Sequence, residues 1–576
     1  MAEAILYNNE FKTTDGDFED AFNDNRFARY LDATNRYMEV NYYGQYELTN
    51  STVYNISEYF FAFTCIKGIH LSVCSIIALA AFYNASYLNY VDTPSLNYIG
   101  PYAFYNCSRL NVVNTGSCYY VGVKAFASCY NLRSITGLPY CDYINDNAFE
   151  ECSALTDVTA CVLSSTINRS IGNEAFKKCY GIVHLSLPYA KYIGKQAFAD
   201  CINLQNVSIT ITSDFGLLYI DDEAFIGCTK IPNISTNVSY VGDRAFANCT
   251  NLLNATFSNC ISIGSNIFEN CSNLTTIVCT SLQEIPEYAF YNLSKLQNAI
   301  FTNAKYIGSY AFAGCISLSN ITNFNACEQI ENNTFDGCYN IGVLVFNNLK
   351  TIPNNTFGYY NKSYSNISVL VLPECEMIEG NNFIGCSTLS QAVMLPKCRF
   401  IGEYTFMSTN VEYITFSNLE VIGSSAYLFC SSIKVVQLPK CISIGENAFM
   451  SAAPSVVDLS LLSSFPNSFS NSFFSKIEYL NTYNMNLISS SYYKNCSLLR
   501  YVGLSNTSVI EEEAFAGCYS LSTIYLYGSS IISLENSNAF TFTEESVSIF
   551  VQPSLYDIYI SSPNWSYYSS LFKSIS

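Results

Sequence analysis

Apolar and polar positions recur along this chain with a period near 22 residues. Ile171-Gly172, Ala175-Phe176, Cys179 and Ile182 are followed by Ile193-Gly194, Ala197-Phe198, Cys201 and Leu204. The phenylalanine of the phrase runs through Phe82, Phe104, Phe126, Phe149, Phe176, Phe198, Phe225, Phe246, Phe268, Phe290, Phe312, Phe335, Phe357, Phe383, Phe406, Tyr427, Phe449, Tyr493, Phe515 and Phe540. From Phe449 to Tyr493 is two periods, which places a degenerate unit around Phe465 to Phe474, and Phe63 reads as an irregular first unit. The array holds about 22 units.

Each unit has three parts. The phrase I-G-x-x-A-F-x-x-C-x-x-L has apolar residues three and four apart, which predicts a short helical or 3₁₀ turn. The next part, L-x-x-V-x-L, alternates like a half-buried strand. Pro188, Pro373, Pro396 and Pro439 end such strands, where a missing N–H is tolerated. A second, shorter extended piece leads to the next Ile-Gly. A unit of this size cannot bury its own apolar face, so units must stack, and stacking aligns their strands into a parallel sheet. The predicted fold is an α/β repeat solenoid, curved, with the sheet on its concave face and the helical turns on its convex face. Residues 1–50 form an acidic segment without a fold assignment, 51–544 the array, and 545–576 a C-terminal cap.

The phrase I-G-x-x-A-F-x-x-C-x-x-L-x-x-V-x-L-P resembles the BspA-like, or treponemal-type, leucine-rich repeats from about Ile56 to the end. The tail, with Ser548-Ile-Phe-Val551, Tyr556 and Asn564-Trp565-Ser566-Tyr567-Tyr568, resembles the closing segment of many members. The resemblance implies a leucine-rich repeat solenoid, surface-exposed or secreted, that binds host or matrix proteins.

Composition narrows the partners. Apolar residues are 49% and charged residues 13% of the chain, enough for a long core and unlike a disordered chain. The net charge of −19 disfavours nucleic acid and anionic membrane surfaces, and no Lys/Arg cluster appears along the sequence. No signal peptide is visible among the first forty residues, and the longest apolar run, near Ser75 to Tyr83, is too short to span a bilayer. The chain reads as soluble, with its location undetermined between the implied cell surface and another route.

Of 25 cysteines, fourteen lie three residues after the phenylalanine and seven lie three residues before the Ile of the phrase. Cysteine is thus a repeat position, read as a small buried hydrophobe with a free thiol. The alternative is disulfide staples between adjacent columns, whose Cα spacing is in reach but whose parallel side chains rarely point at each other as the bond demands. No C-x-x-C occurs, so zinc and thioredoxin-like readings fail on spacing.

Signals for catalysis are few. The two histidines, His70 and His184, show no triad spacing, although Ser186 lies near His184. The acidic run from Asp15 to Asp20 has its glycine misplaced for an EF-hand. No cofactor or metal is expected. What remains is a surface. The residues flanking the central Val of the strand motif point away from the core. They are His184 and Ser186, Asn206 and Ser208, Asn233 and Ser235, Asn254 and Thr256, Thr276, Asn298, then Asn320 and Thr322, and further along Tyr413, Tyr479, Tyr501 and Tyr525. Amides suit hydrogen bonding to peptide or sugar, and tyrosines supply rigid anchors. The sequence therefore reads as a non-enzymatic binding or adhesion protein for a protein or glycan, such as matrix or a host surface, with no nucleic acid and no membrane insertion. The alternatives are a structural spacer, fibre or surface-layer component, and a hydrolase hidden in residues 1–50.

Overall fold

The computed structural model describes residues 29–31, 37–39, 46–50 and 53–575, apart from 65, 117, 137–140, 157, 159–169, 188–189, 210–217, 320–323, 359–365, 391, 463–472, 483–484 and 541–546. The acidic run 15–20, Pro188, Asn320 and Thr322 lie outside the described residues, as does most of 1–50. The chain divides into two compact units, Met1–Pro232 and Asn233–Ser576.

In the first unit each coil supplies a strand from the L-x-x-V-x-L part, as in Tyr90–Thr93 and Val112–Thr115, and a two-residue strand that ends on the Ile of Ile-Gly, as in Tyr98–Ile99 and Tyr120–Val121. Among the described residues of this unit, the pairings between these strands are parallel and join equivalent positions of successive coils. Ile77 faces Ile99, Ile99 faces Val121, and Val121 faces Ile144. The second unit repeats the plan, from Asn233–Thr236 paired with Asn254–Phe257 to Thr523–Leu526 paired with Ser548–Val551. Register is set by the repeat itself, because a one-residue slip would turn every apolar side chain outward.

The phrase is not helical. Between Gly100 and Cys107 the backbone N–H groups alternate in direction. Ala103, Tyr105 and Cys107 donate three residues back, to Gly100, Tyr102 and Phe104, while Tyr102, Phe104 and Asn106 donate to Val123, Ala125 and Ala127 of the next coil. A helix would satisfy all of them within its own turn. Here half of them bind a neighbour, so the phrase is a run of overlapping β-turns joined side by side. Two positions per coil adopt positive φ, such as Tyr102 at 54° and Asn106 at 56°. Both are i+2 positions of type II-like turns, which explains the Asn and Gly that recur two residues after the phenylalanine. Among the described residues, helix is confined to Pro553–Leu555, Tyr556–Ser561 and Trp565–Leu571.

A non-glycine residue pays for positive φ. Phe429 has φ of 63° and is 51% exposed. Phe429→Gly should therefore raise stability by about 0.5–1 kcal/mol, the αL penalty less the entropy cost of glycine. Thermal unfolding checks it, and an unchanged or lower Tm would show that the Phe429 ring contributes more by packing than its backbone loses.

The core is a column of rings. In the first unit Phe61, Phe82, Phe104, Phe126, Phe149, Phe176, Phe198 and Phe225 stack face to face, with Phe104 and Phe126 at 5.0 Å and 8°. The first ring is Phe61 rather than Phe63, because Phe63 occupies a positive-φ turn position two residues later. In the second unit Phe301, just after the strand Asn298–Ile300, and Phe324 lean on the column at Phe312. The degenerate unit contributes Phe473, 5.6 Å from Phe449, and Phe474, 4.7 Å from Tyr493. Burial of each ring is worth about 2–3 kcal/mol.

All cysteines among the described residues are free and buried. The thiol three residues after the phenylalanine donates to the phenylalanine carbonyl of the preceding coil: Cys129 to Phe104 at 3.1 Å, Cys152 to Phe126 at 3.1 Å, Cys201 to Phe176 at 3.2 Å. That carbonyl already accepts an N–H from its own coil, so the thiol fills its second lone pair. Thr64 and Thr409 stand at the same position and use a hydroxyl on their own Phe61 and Phe406 carbonyls. Cysteine is thus a compact hydrophobe that also donates. Thiols of the second column, which Cys74 joins, donate two residues ahead, as Cys118 does to Tyr120.

At the C-terminal end, Trp565, Tyr559, Tyr568 and Phe572 are buried. Trp565 Nε1 donates to the Ile532 carbonyl at 2.6 Å, the Ile532 N–H donates to the Tyr559 hydroxyl at 2.9 Å, and Phe540 lies 5.9 Å from Trp565. Of the tail aromatics Tyr556, Trp565, Tyr567 and Tyr568, Trp565 and Tyr568 are buried, Tyr556 is half-buried and Tyr567 is 71% exposed.

Candidate binding face

Alternation turns the two flanks of each strand's central residue outward and generally buries that residue, although Val207 is only half-buried. Leu185, Ile234, Ala255, Ile277 and Ala299 are buried, while Asn206, Ser208, Asn233, Ser235 and Asn254 are exposed and Thr256, Thr276 and Asn298 half-buried. In the first unit Asn206 Nδ2 meets His184 Nδ1 at 2.7 Å. In the second, Asn233, Asn254, Thr276 and Asn298 occupy one register column, and Asn254 Nδ2 donates to Asn233 Oδ1 at 2.7 Å. The neighbouring column runs Ser235, Thr256, Val278 and Ile300, so it turns apolar after two polar members.

The same position holds a further ladder nearer the N-terminus that sequence reasoning left aside. His70, Asp92, Asn114 and Thr136 are successive register partners. His70 Nδ1 lies 2.5 Å from Asp92 Oδ2, Asn114 Nδ2 donates to Asp92 Oδ1 at 2.7 Å, and Thr136 Oγ1 donates to Asn114 Oδ1 at 2.7 Å. The 22-residue spacing was the available signal. Neither histidine has a hydrogen bond to serine, threonine or cysteine among the described residues.

The four tyrosines are not one group. Tyr413 heads a column in which Val435 and Val456 separate it from Tyr479, and it stands alone and 45% exposed. Tyr479 and Tyr501 stack at 4.2 Å and 4°. Tyr525 belongs to the other column, opposite Gly503, yet its ring reaches to 5.5 Å from Tyr501. A Cβ at Gly503 would lie 2.4 Å from Asn481 Oδ1 and 3.3 Å from Tyr527 Cε2, so glycine there leaves room for Asn481 and Tyr527 beside the cluster. Three residues not assigned to the face from sequence complete the cluster: Phe550 stacks on Tyr525 at 4.6 Å, the Tyr527 and Tyr501 hydroxyls meet at 2.8 Å, and Lys573 Nζ lies over Phe550 at 5.9 Å. Burial and the Tyr527 hydroxyl hold the Tyr501 phenol protonated far above its ordinary range. The cluster offers half-buried rings, hydroxyls and one cation, a set suited to contact rather than proton transfer. Among the described residues there is no group of three or more His, Cys, Asp or Glu that could hold a metal ion, and no helix long and apolar enough to cross a membrane.

Comparison with known proteins follows the repeat. No curated protein matches the chain. Among solved structures, a leucine-rich repeat protein from Bacteroides ovatus is 20% identical, covering 75% of this chain and 83% of that one at a TM-score of 0.31. The Treponema pallidum leucine-rich repeat protein is 18% identical over 33% of this chain and 87% of its own, at 0.26. A leucine-rich cell surface protein from Faecalibacterium prausnitzii is 14% identical over 88% and 95%, at 0.24. The model for the BspA type leucine-rich repeat region matches residues 54–170, 169–297, 283–371, 350–481 and 465–571. With coils, phrase and match running together from residue 54 to 571, the chain belongs to the BspA-type leucine-rich repeat family.

Proposed function

We propose that this protein is a non-enzymatic binding protein that holds a protein partner on the strand face around Tyr479, Tyr501 and Tyr525, in an adhesive role at a cell surface. Leucine-rich repeat proteins typically serve protein–protein interaction, and the aromatic cluster supports the reading. The tyrosines are half-buried and packed ring on ring, and the Tyr501 hydroxyl is bonded to that of Tyr527, so they are pre-ordered and little rotamer entropy is lost when a partner covers them. The face is poor in charge, so covering it carries little ionic desolvation cost. Asn233 and Asn254 belong to a second patch of the same kind.

A screen against matrix proteins and glycans at low and high salt tests the proposal. Binding should be saturable and vary little with salt. Replacing Tyr479, Tyr501 and Tyr525 together by Ala should weaken it more than about 100-fold, since aromatic hot spots are worth about 2 kcal/mol or more each. Asn233→Asp with Asn254→Asp should weaken it less. Circular dichroism should show the fold retained in both. No saturable binding would favour the spacer, and binding untouched by the tyrosine changes would remove this face from the account.

A further inference from the structure

The first unit carries a cavity of about 360 Å³ lined by Lys67, Tyr87, Asn89, Arg109, Asn111, Asn131 and Arg133. Its origin lies in the repeat. In successive coils Leu88, Leu110 and Leu132 are fully buried, and the residues on either side of each turn outward. Stacking lines these flanks into two columns, Lys67–Asn89–Asn111–Arg133 and Tyr87–Arg109–Asn131. Backbone bonds tie the first column: the Asn89 N–H donates to Lys67, Asn111 to Asn89 and Arg133 to Asn111 at 2.7–2.9 Å. The Arg109 guanidinium lies over the Tyr87 ring at 4.8 Å, and Asn131 Nδ2 is held by the Ser108 carbonyl at 2.7 Å.

Three cations thus gather in one groove of a chain whose net charge is −19. Neither column holds a carboxylate over this stretch, and neither Arg109 nor Arg133 forms an ion pair with a carboxylate among the described residues. Arg109 and Arg133 differ in this from Arg399, whose guanidinium is paired with Glu420. An unmatched guanidinium offers a planar fork of donors that fits a carboxylate or sulfate. Three amides stand between the cations. An amide both donates and accepts, which matches a hydroxyl, also both donor and acceptor. Asn111 Oδ1 has no hydrogen-bond partner among the described residues. The lining has one aromatic ring and no aliphatic side chain, unlike the apolar centre of a protein interface. The volume is at the small end of ligand sites, which span about 300–1,000 Å³.

We infer that this groove is a binding site for an acidic sugar, an oxyanion carried on a hydroxylated ring, within an oligosaccharide. Arg109 and Arg133 take the carboxylate or sulfate, and Asn89, Asn111 and Asn131 take ring hydroxyls. The site is separate from the tyrosine cluster and does not depend on it.

Calorimetric titration of the full chain decides the matter, with a sulfated hexasaccharide, a carboxylated unsulfated hexasaccharide, a neutral hexasaccharide and a poly-glutamate peptide as probes. At least one acidic hexasaccharide should bind one per chain, weaken as salt rises, and out-compete the neutral sugar and the peptide. The two acidic probes separate sulfate from carboxylate. Arg109→Gln and Arg133→Gln should each cost about 10-fold or more, the worth of a charge-assisted hydrogen bond. Lys230→Gln, an equal loss of charge outside the groove, should cost little. The variant lacking Tyr479, Tyr501 and Tyr525 should bind the sugar as the natural protein does. Circular dichroism checks that each variant is folded. Equal binding of the neutral sugar, tighter binding of the peptide, no binding of either acidic sugar, or indifference to both arginine changes would each overturn the assignment.

Discussion

Raising the pH to about 10 under reducing conditions should unfold the array. Cys107, Cys129, Cys152, Cys179 and Cys201 are fully buried, and desolvation pushes every one of their thiols far above the ordinary value. Cys118 is pushed up to about 12 and Cys74 to about 11 by the same cause. In the folded chain these thiols stay protonated. In the unfolded chain they ionise above about pH 8.5–9. The unfolded state then binds fewer protons, so stability is intact below that range and falls as pH rises through it. One pH unit above the free-thiol value, each such thiol costs about 1.4 kcal/mol. The five together cost about 7 kcal/mol, comparable to the whole stability of an ordinary domain. Circular dichroism against pH measures the effect. Cys129→Ala, Cys152→Ala and Cys179→Ala in one chain should flatten the dependence, because fewer thiols titrate. A signal unchanged through pH 10 would mean that the thiols ionise without unfolding, contrary to their burial.

Deleting residues 545–576 should be the most damaging truncation. It removes the strand Ser548–Val551, which pairs with Thr523–Leu526, and the buried Trp565, Tyr559, Tyr568 and Phe572. At about 2–3 kcal/mol per large side chain, the lost burial is on the order of 10 kcal/mol. The stripped end would present Phe540 and Ile532 to water beside a row of unpaired backbone groups, a template for association. Trp565→Ala alone should cost about 3–5 kcal/mol, from the cavity and from the lost bond to Ile532. Size-exclusion chromatography and thermal unfolding measure both. A truncated chain that stays monomeric at unchanged Tm would show that the tail does not close the array.

The misreading of the phrase has a specific cause. Apolar residues three and four apart at Ala103, Phe104 and Cys107 are common to a helix and to overlapping turns, because both bring such residues to one side. The difference lies in where the N–H of Tyr102 or Phe104 goes, and that depends on the next coil. The Asn, Gly and Ser residues two places after the phenylalanine did carry the turn signal, since positive φ is cheap for glycine and tolerated by asparagine.

The sequence by itself determined the period, the parallel stacking, the ring column and the two cysteine columns, because each follows from one position repeated at a near-constant interval. It also determined which side of each strand faces out, through alternation. Only the tertiary structure decided which outward residues meet. Side chains two to four coils apart are more than forty residues distant in sequence, yet stacking brings them together. Tyr413 and Tyr479 share a column but are kept apart by two valine-bearing strands, whereas Tyr501 and Tyr525, from different columns of adjacent strands, bring their rings to 5.5 Å. Lys67, Arg109 and Arg133 form no cluster along the chain and one groove in space. Periodicity dictates the register of a coil, but the content of a surface patch depends on the side chains that the neighbouring coils place in that register.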